Sequence, residues 1–187
     1  MTEDSALVRQ ALEGDGKAFE MIVLKYQQPL VNYLARMTGE RESALDYAQD
    51  VFVKAYASLR TYRPSYKFST WLFKIASNHL IDHWRKKKLP EVSLDRPFPE
   101  DEDRDGLQVE DRGPSVSRRY ELAELRVKVE EALGRIPRAF RELFVLRHVN
   151  EFSYEEIAEI KRLPVGTVKN RVFQAKEMLR RELEAPR

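Results

Sequence analysis

Cysteine is absent from the 187 residues. That excludes disulfides, thiol catalysis, thiol-based redox sensing and cysteine-ligated zinc. Only seven residues are glycine, and no apolar run approaches the roughly eighteen residues that a membrane span needs. The opening MTEDSALVRQ lacks the basic-then-apolar build of a secretory signal, so a cytoplasmic chain without membrane insertion is expected. No glycine-rich phosphate loop and no nucleophile–base pairing is present, so neither catalysis nor a cofactor is expected. Charge is abundant: 34% of residues are charged and 42% hydrophobic, which suits helical globular protein. The length leaves room for one large domain or two small ones.

The net charge of +2 averages two opposed parts. Residues 89–117 hold nine acids against Arg96, Arg104 and Arg112, a balance of −6, which leaves +8 on the remainder. Basic blocks around an acidic middle point to a polyanionic partner. The acidic segment also carries Pro90, Pro97, Pro99, Gly106, Gly113 and Pro114 and shows no sustained apolar period. It reads as a flexible linker between two helical domains.

Apolar residues before it recur at helical spacing. The first helix is expected over Ser5 to Leu12. The second runs from Lys17 to Met37, with Phe19, Ile22, Tyr26, Leu30, Tyr33, Leu34 and Met37 inward, and Pro29 should bend it or remove a hydrogen bond. The third runs from Ser43 to Leu59, with Leu45, Ala48, Phe52, Ala55, Tyr56 and Leu59 inward. The loop RTYRPSYKFS leads into a fourth helix for which Ser69 is the expected N-cap. After the acidic segment, Ser117 is expected to cap a helix through about Leu133. Pro137 suits the first turn of the next, ending near His148. Ser153 and Glu156 form a capping box for a short helix to Ile160. The turn KRLP precedes a last helix from Val165 to about Leu183.

Short helix, brief turn and longer helix make a helix-turn-helix outline, with small Ala158 where the two helices approach. At 100° per residue, Val165, Val168, Val172, Ala175 and Leu179 fall within about 80° and must face a core. Thr167, Lys169, Asn170, Phe173 and Gln174 fall outside that arc. Amides suit adenine, lysine suits guanine, and an apolar ring suits a thymine methyl; flanking Arg171 and Lys176 suit phosphates. An ordinary three-helix bundle with a solvated face is the alternative, and an exposed Phe173 argues against it.

The helix FSTWLFKIASNHLIDHWRKKK contains both tryptophans and ends in four bases. By angle, Leu72, Phe73, Ala76, Leu80 and Trp84 form its buried stripe, while Trp71, Lys74, Asn78, Asp82 and Arg85 share the opposite side. An aromatic plate beside an amide and cations is what an unstacked base requires. The alternative is that Trp71 folds onto Tyr62 or Tyr66. His79 and His83 stand four apart, but without a third ligand or a zincin glutamate no metal is expected.

Three strings, DYAQDVFVKAY (46–56), FSTWLFKIASNHLIDHWR (68–85) and SYEEIAEIKRLPVGTVKNRVFQAKE (153–177), resemble regions 2.2, 2.3–2.4 and 4.2 of the extracytoplasmic-function (ECF) sigma factors, the small promoter-specificity subunits of bacterial RNA polymerase. The resemblance implies an all-α chain. It divides into region 2 at 1–88, the acidic linker at 89–117, and a region 4 helix-turn-helix at 118–187. Asp46, Gln49 and Asp50 would help dock region 2 on the β′ subunit of core polymerase, with β as the second contact. Tyr62, Trp71, Lys74, Asn78 and Arg85 would engage the melted minus-10 element, with the loop from Tyr62 to Ser69 covering the base pocket. Lys169, Asn170, Phe173 and Gln174 would read the minus-35 duplex, and Thr167, Arg171 and Lys176 would hold its backbone. An anti-sigma factor is an implied partner, and the free chain is expected to be monomeric. Two departures from the family pattern stand out. Lys161-Arg162 replace the usual apolar residue and glycine of the turn, and Gln174 stands where some relatives have arginine.

Two helical turns of DNA between such readers span about 70 Å. A linker of 29 residues stretches to roughly 96 Å but averages about 30 Å as a free coil. Something must therefore hold it extended, and polymerase is the natural candidate. A free-standing helix-turn-helix repressor or activator would account for the C-terminal half alone and leave Trp71, Asn78 and the split charge unexplained.

Overall fold

A computed structural model describes residues 3–88 and 116–184. Of the linker expected at 89–117, residues 89–115 lie outside the described residues, and Val116 and Ser117 belong to a helix, which shortens it at that end. The described residues form eight α-helices and one 3-10 turn, without a strand among them. The first half holds α1 (Glu3–Leu12), α2 (Gly16–Thr38), α3 (Arg41–Ala57), the turn Leu59–Thr61 and α4 (Phe68–Lys88). Asp15 starts α2 by accepting from the Lys17 amide at 2.9 Å. Gly39, at φ 84°, ends it in the left-handed conformation that glycine adopts without a Cβ clash. Pro29 lies inside α2 without ending it. Ile22, Leu30, Tyr33, Leu34 and Met37 of α2 meet Ala48, Val51 and Phe52 of α3 and Phe68, Leu72, Phe73 and Leu80 of α4 in one buried cluster.

Four expectations need correction. Leu45 and Tyr56 were expected inward but are exposed, because α3 buries the narrower stripe Ala44, Ala48, Val51, Phe52 and Ala55. Ser69 lies inside α4, which begins at Phe68, and Ser117 lies inside α5 (Val116–Arg135), so neither is the N-cap. Of the other boundaries, the end of the first helix at Leu12, the end near His148 and the start at Val165 coincide with the expectation, and the rest lie within about two residues of it.

The second half adds α6 (Arg138–His148), α7 (Tyr154–Lys161) and α8 (Val165–Glu184). Pro137 serves as the N-cap of α6. The capping box of α7 is complete: Glu156 N donates to Ser153 Oγ at 3.1 Å, and Ser153 N donates to Glu156 Oε2 at 2.7 Å. Arg162 ends α7 at φ 52°, in the left-handed region, a conformation that costs a non-glycine residue about 1 kcal/mol or more.

The two halves meet along a seam. Helix α7 packs on α4, and α5 and α6 pack on α2. Leu143, Leu146, Phe152, Ile157 and Val168 extend the apolar cluster of the first half, and Phe73 meets Phe152 edge-on at 4.9 Å between ring centroids. A smaller cluster of Ala132, Leu133, Ile136 and Leu179 closes the far side of the second half.

The α3–α4 contact is polar at its rim. Lys54 Nζ lies 2.7 Å from His79 Nδ1, and Tyr47 Oη lies 3.0 Å from His83 Nε2. Burial, with the Lys54 charge second, holds the His79 imidazole below its ordinary 6.5. Burial and then the charges of Arg147 and Lys176 do the same to His148. A depressed imidazole stabilises the fold above its unfolded value, and that contribution is lost as pH falls through the folded value. The melting temperature should therefore drop between about pH 7.5 and 5.5, and His79→Asn should flatten the drop; an unchanged slope would contradict it. Removing the α7 cap by Ser153→Ala should cost about 1 kcal/mol, seen as a lower urea midpoint at constant m.

Candidate nucleic-acid interface

Helix α4 divides its two sides as the angles predict. Phe68, Leu72, Phe73, Ala76 and Leu80 are buried, Trp84 is half-buried, and Asn78 and Arg85 are exposed. Trp71, Lys74 and Asp82 are half-buried on the outward side. The Trp71 ring leans on Phe68 at 5.4 Å and on Tyr62 at 5.8 Å, as the alternative of an indole folded onto Tyr62 has it. It packs on the loop, yet it still lines a cavity of about 400 Å³ with Tyr66, Lys74 and Asn78. Tyr62 is a wall of that cavity rather than a free face: it is buried, and its hydroxyl donates to the Tyr66 carbonyl at 2.9 Å. Arg85 stands off the cavity, paired with Asp82 at 3.0 Å.

The cavity has a roof from the other half. Glu159 and Arg162 of the α7 end line it, Lys74 Nζ donates to Glu159 Oε1 at 2.5 Å, and Lys67 pairs with Glu156 at 2.9 Å. The Lys67 link helps hold the Glu156 carboxyl below its ordinary value against the upward push of burial. Sequence periodicity carried no sign of this roof, because the partners stand some 85 positions apart.

On α8, Val168, Val172, Ala175 and Leu179 are buried, as the arc requires, whereas Val165, in the first turn, is only half-buried. Lys169, Asn170, Gln174 and Lys176 are exposed, with Thr167 and Arg171 half-buried. Phe173 is 64% exposed, which no bundle packing explains. Gln174 Nε2 donates to Asn170 Oδ1 at 3.1 Å, setting the two amides in register one helical turn apart. The Tyr154 ring carries Arg147 at 4.7 Å and Lys169 at 5.7 Å. The outward face of α8 therefore offers cations, amides and one apolar ring on a rigid element.

Asp46, Gln49 and Asp50 are exposed on α3. The sequence periodicity did not single out the exposed apolar side chains Met21 and Leu24 of α2 and Val53 and Tyr56 of α3, with Val53 68% exposed and Tyr56 edge-on to Phe19 at 4.9 Å. The legible signal was that Met21, Leu24 and Val53 fall off the inward stripes. No cluster of three or more metal-ligating side chains occurs among the described residues, and no helix among them is long and apolar enough to cross a membrane.

Known proteins share this layout. The family model Sigma-70 region 2 matches residues 22–89, and Sigma-70, region 4 matches residues 126–179. The chain is 35% identical to the ECF RNA polymerase sigma factor SigW of Bacillus subtilis over 94% of each chain. It is 33% identical to the ECF RNA polymerase sigma-E factor of Escherichia coli K12, covering 94% of this chain and 92% of the relative. The structure of CnrH in complex with the cytosolic domain of CnrY matches 98% of this chain and 99% of its own, at 26% identity and a TM-score of 0.70. With family models matched in both halves and relatives matched almost end to end, the chain belongs to the ECF sigma factors of the sigma-70 family.

Proposed function

We propose that this chain binds core RNA polymerase through α2 and α3 and carries it to a two-part promoter. Residues 1–88 act as region 2, residues 89–115 as the tether, and the chain from α5 onward as region 4. Helix α8 enters the upstream major groove, where Lys169, Asn170, Phe173 and Gln174 meet base edges and Thr167, Arg171 and Lys176 meet phosphates. Downstream, a base that leaves the stack enters the α4 cavity. Trp71 supplies a π-face, Asn78 a hydrogen-bonding edge and Lys74 a counter-charge, while Tyr62 braces the indole and Arg85 extends the cationic track. Capture of the extruded base turns transient opening into a held bubble. The chain supplies no bond-making chemistry of its own; catalysis belongs to the polymerase.

The observation that carries this reading is the 400 Å³ cavity, which brings Trp71, Lys74 and Asn78 together on the outward side of α4. The acids Asp46, Gln49's neighbour Asp50 and the bare Val53 and Tyr56 present a mixed polar and apolar face suited to docking on β′. A separate anti-sigma protein that covers this face or the cavity is the expected regulator, and the working compartment is the cytoplasm.

Run-off transcription on the gene's own upstream region tests the proposal: core polymerase with the chain should give a discrete transcript that core alone does not. In the same assay Asn78→Ala should lower transcript by about fivefold or more, or relax the preferred downstream base, the loss expected when an edge contact worth about 1–3 kcal/mol goes. Unchanged preference and yield would remove Asn78 from the pocket.

A further inference from the structure

Glu142 is 3% exposed, and neither DNA-reading surface uses it. Its carboxylate is saturated from three directions. Tyr33 Oη and Ser77 Oγ donate to Oε1 at 2.8 and 2.7 Å, and Lys161 Nζ donates to Oε2 at 2.6 Å. Lys161 Nζ also donates to Ser77 Oγ at 2.7 Å, closing the network. Burial, then the Glu142 charge, holds the Tyr33 phenol well above its ordinary value, so it stays a donor. Tyr33 and Ser77 belong to the first half, Glu142 and Lys161 to the second. The Glu142–Lys161 pair lies within the second half, whereas the bonds from Tyr33 to Glu142 and between Ser77 and both second-half groups exist only while the halves are together.

We propose that the Glu142 carboxylate, gripped by Lys161, Ser77 and Tyr33, is the clip of a self-closed state in which the second half masks the base cavity of the first. This regulatory device rests on the function proposed above and acts on the same site. Closed, the chain cannot perform that function. Glu159 occupies Lys74 and Glu156 occupies Lys67, so two α7 carboxylates stand where phosphate charge would be neutralised. Glu159 and Arg162 wall the cavity that a flipped base must enter. Helix α8 follows α7 after only residues 162–164, so it cannot lie about 70 Å from α4 until α7 leaves.

The chemistry suits a latch better than a permanent joint. Apart, all four polar groups regain water. Together they must all be in register, because a half-made buried network leaves an uncompensated charge. That favours fully closed or fully open states over sliding intermediates. A partner that binds only the open state, as polymerase must, shifts the population by its differential affinity. The clip also accounts for one departure from the family pattern: the usual apolar residue at position 161 is replaced by the lysine that reaches Glu142.

Absence of native cysteine makes the test clean. Dyes on Glu20→Cys in α2 and Arg180→Cys in α8, both exposed, report the distance between the halves in the full free chain by single-molecule energy transfer. The parent should show one dominant high-transfer population. Glu142→Gln and Lys161→Met should each raise the open-to-closed ratio at least about tenfold, as expected when one partner of a buried pair is removed. Circular dichroism identifies any variant that fails to fold, and the remaining one decides. A parent that is already mostly open, or a ratio within about twofold of the parent in every folded variant, would overturn the clip. The readout needs neither polymerase nor DNA, so it stands or falls separately from run-off transcription.

Discussion

Helix α4 has to satisfy two environments at once. One side must be apolar enough to hold α2 and α3, and the other must stay polar and partly aromatic at the surface. Phe68, Leu72, Phe73, Ala76 and Leu80 meet the first demand by complete or nearly complete burial. The second leaves Lys74 and Asn78 facing a cavity beside Trp71. Rigidity follows from the first: the indole is braced by Phe68 and Tyr62, so in the proposed role it would lose little freedom on stacking with a base. Without the buried stripe the outward groups would have no fixed spacing.

The seam between the halves has a mixed character that bears on its use. Its centre is apolar, with Phe73 against Phe152, yet charged pairs surround that centre. Arg36 meets Glu130 at 2.7 Å, and the Arg138 guanidinium lies 4.9 Å over the Trp84 ring. An all-apolar seam would be hard to reopen in water, whereas ions regain their hydration when separated. The parting of the two helices that the proposed function calls for is served by the second kind of interface.

Much of the fold was legible because helices announce themselves locally. The Ser153–Glu156 cap needs only four residues, and the arc of Val168, Val172, Ala175 and Leu179 needs only one helix. The outward placement of Asn78 and Phe173 followed from the same angles. Leu45 and Tyr56 misled because an apolar residue at the margin of a stripe looks inward until a neighbouring helix fails to cover it. Ser69 and Ser117 misled because a serine near a helix start is a cap only if the helix begins after it. Glu142 was beyond local reasoning altogether. In RELFVL it reads as a solvated acid, and only Tyr33, Ser77 and Lys161, brought from distant stretches, make it a buried one. The α7 roof over the cavity escaped for the same reason.

Photo-crosslinking from position 71 tests most directly whether the α4 cavity holds melted DNA. With a photoreactive phenylalanine analogue in place of Trp71, the polymerase-bound chain on its promoter should crosslink to a single downstream position of one strand, and only after the duplex has opened. Crosslinks to unopened duplex, or none at all from complexes that still transcribe, would contradict a base-holding role for this face.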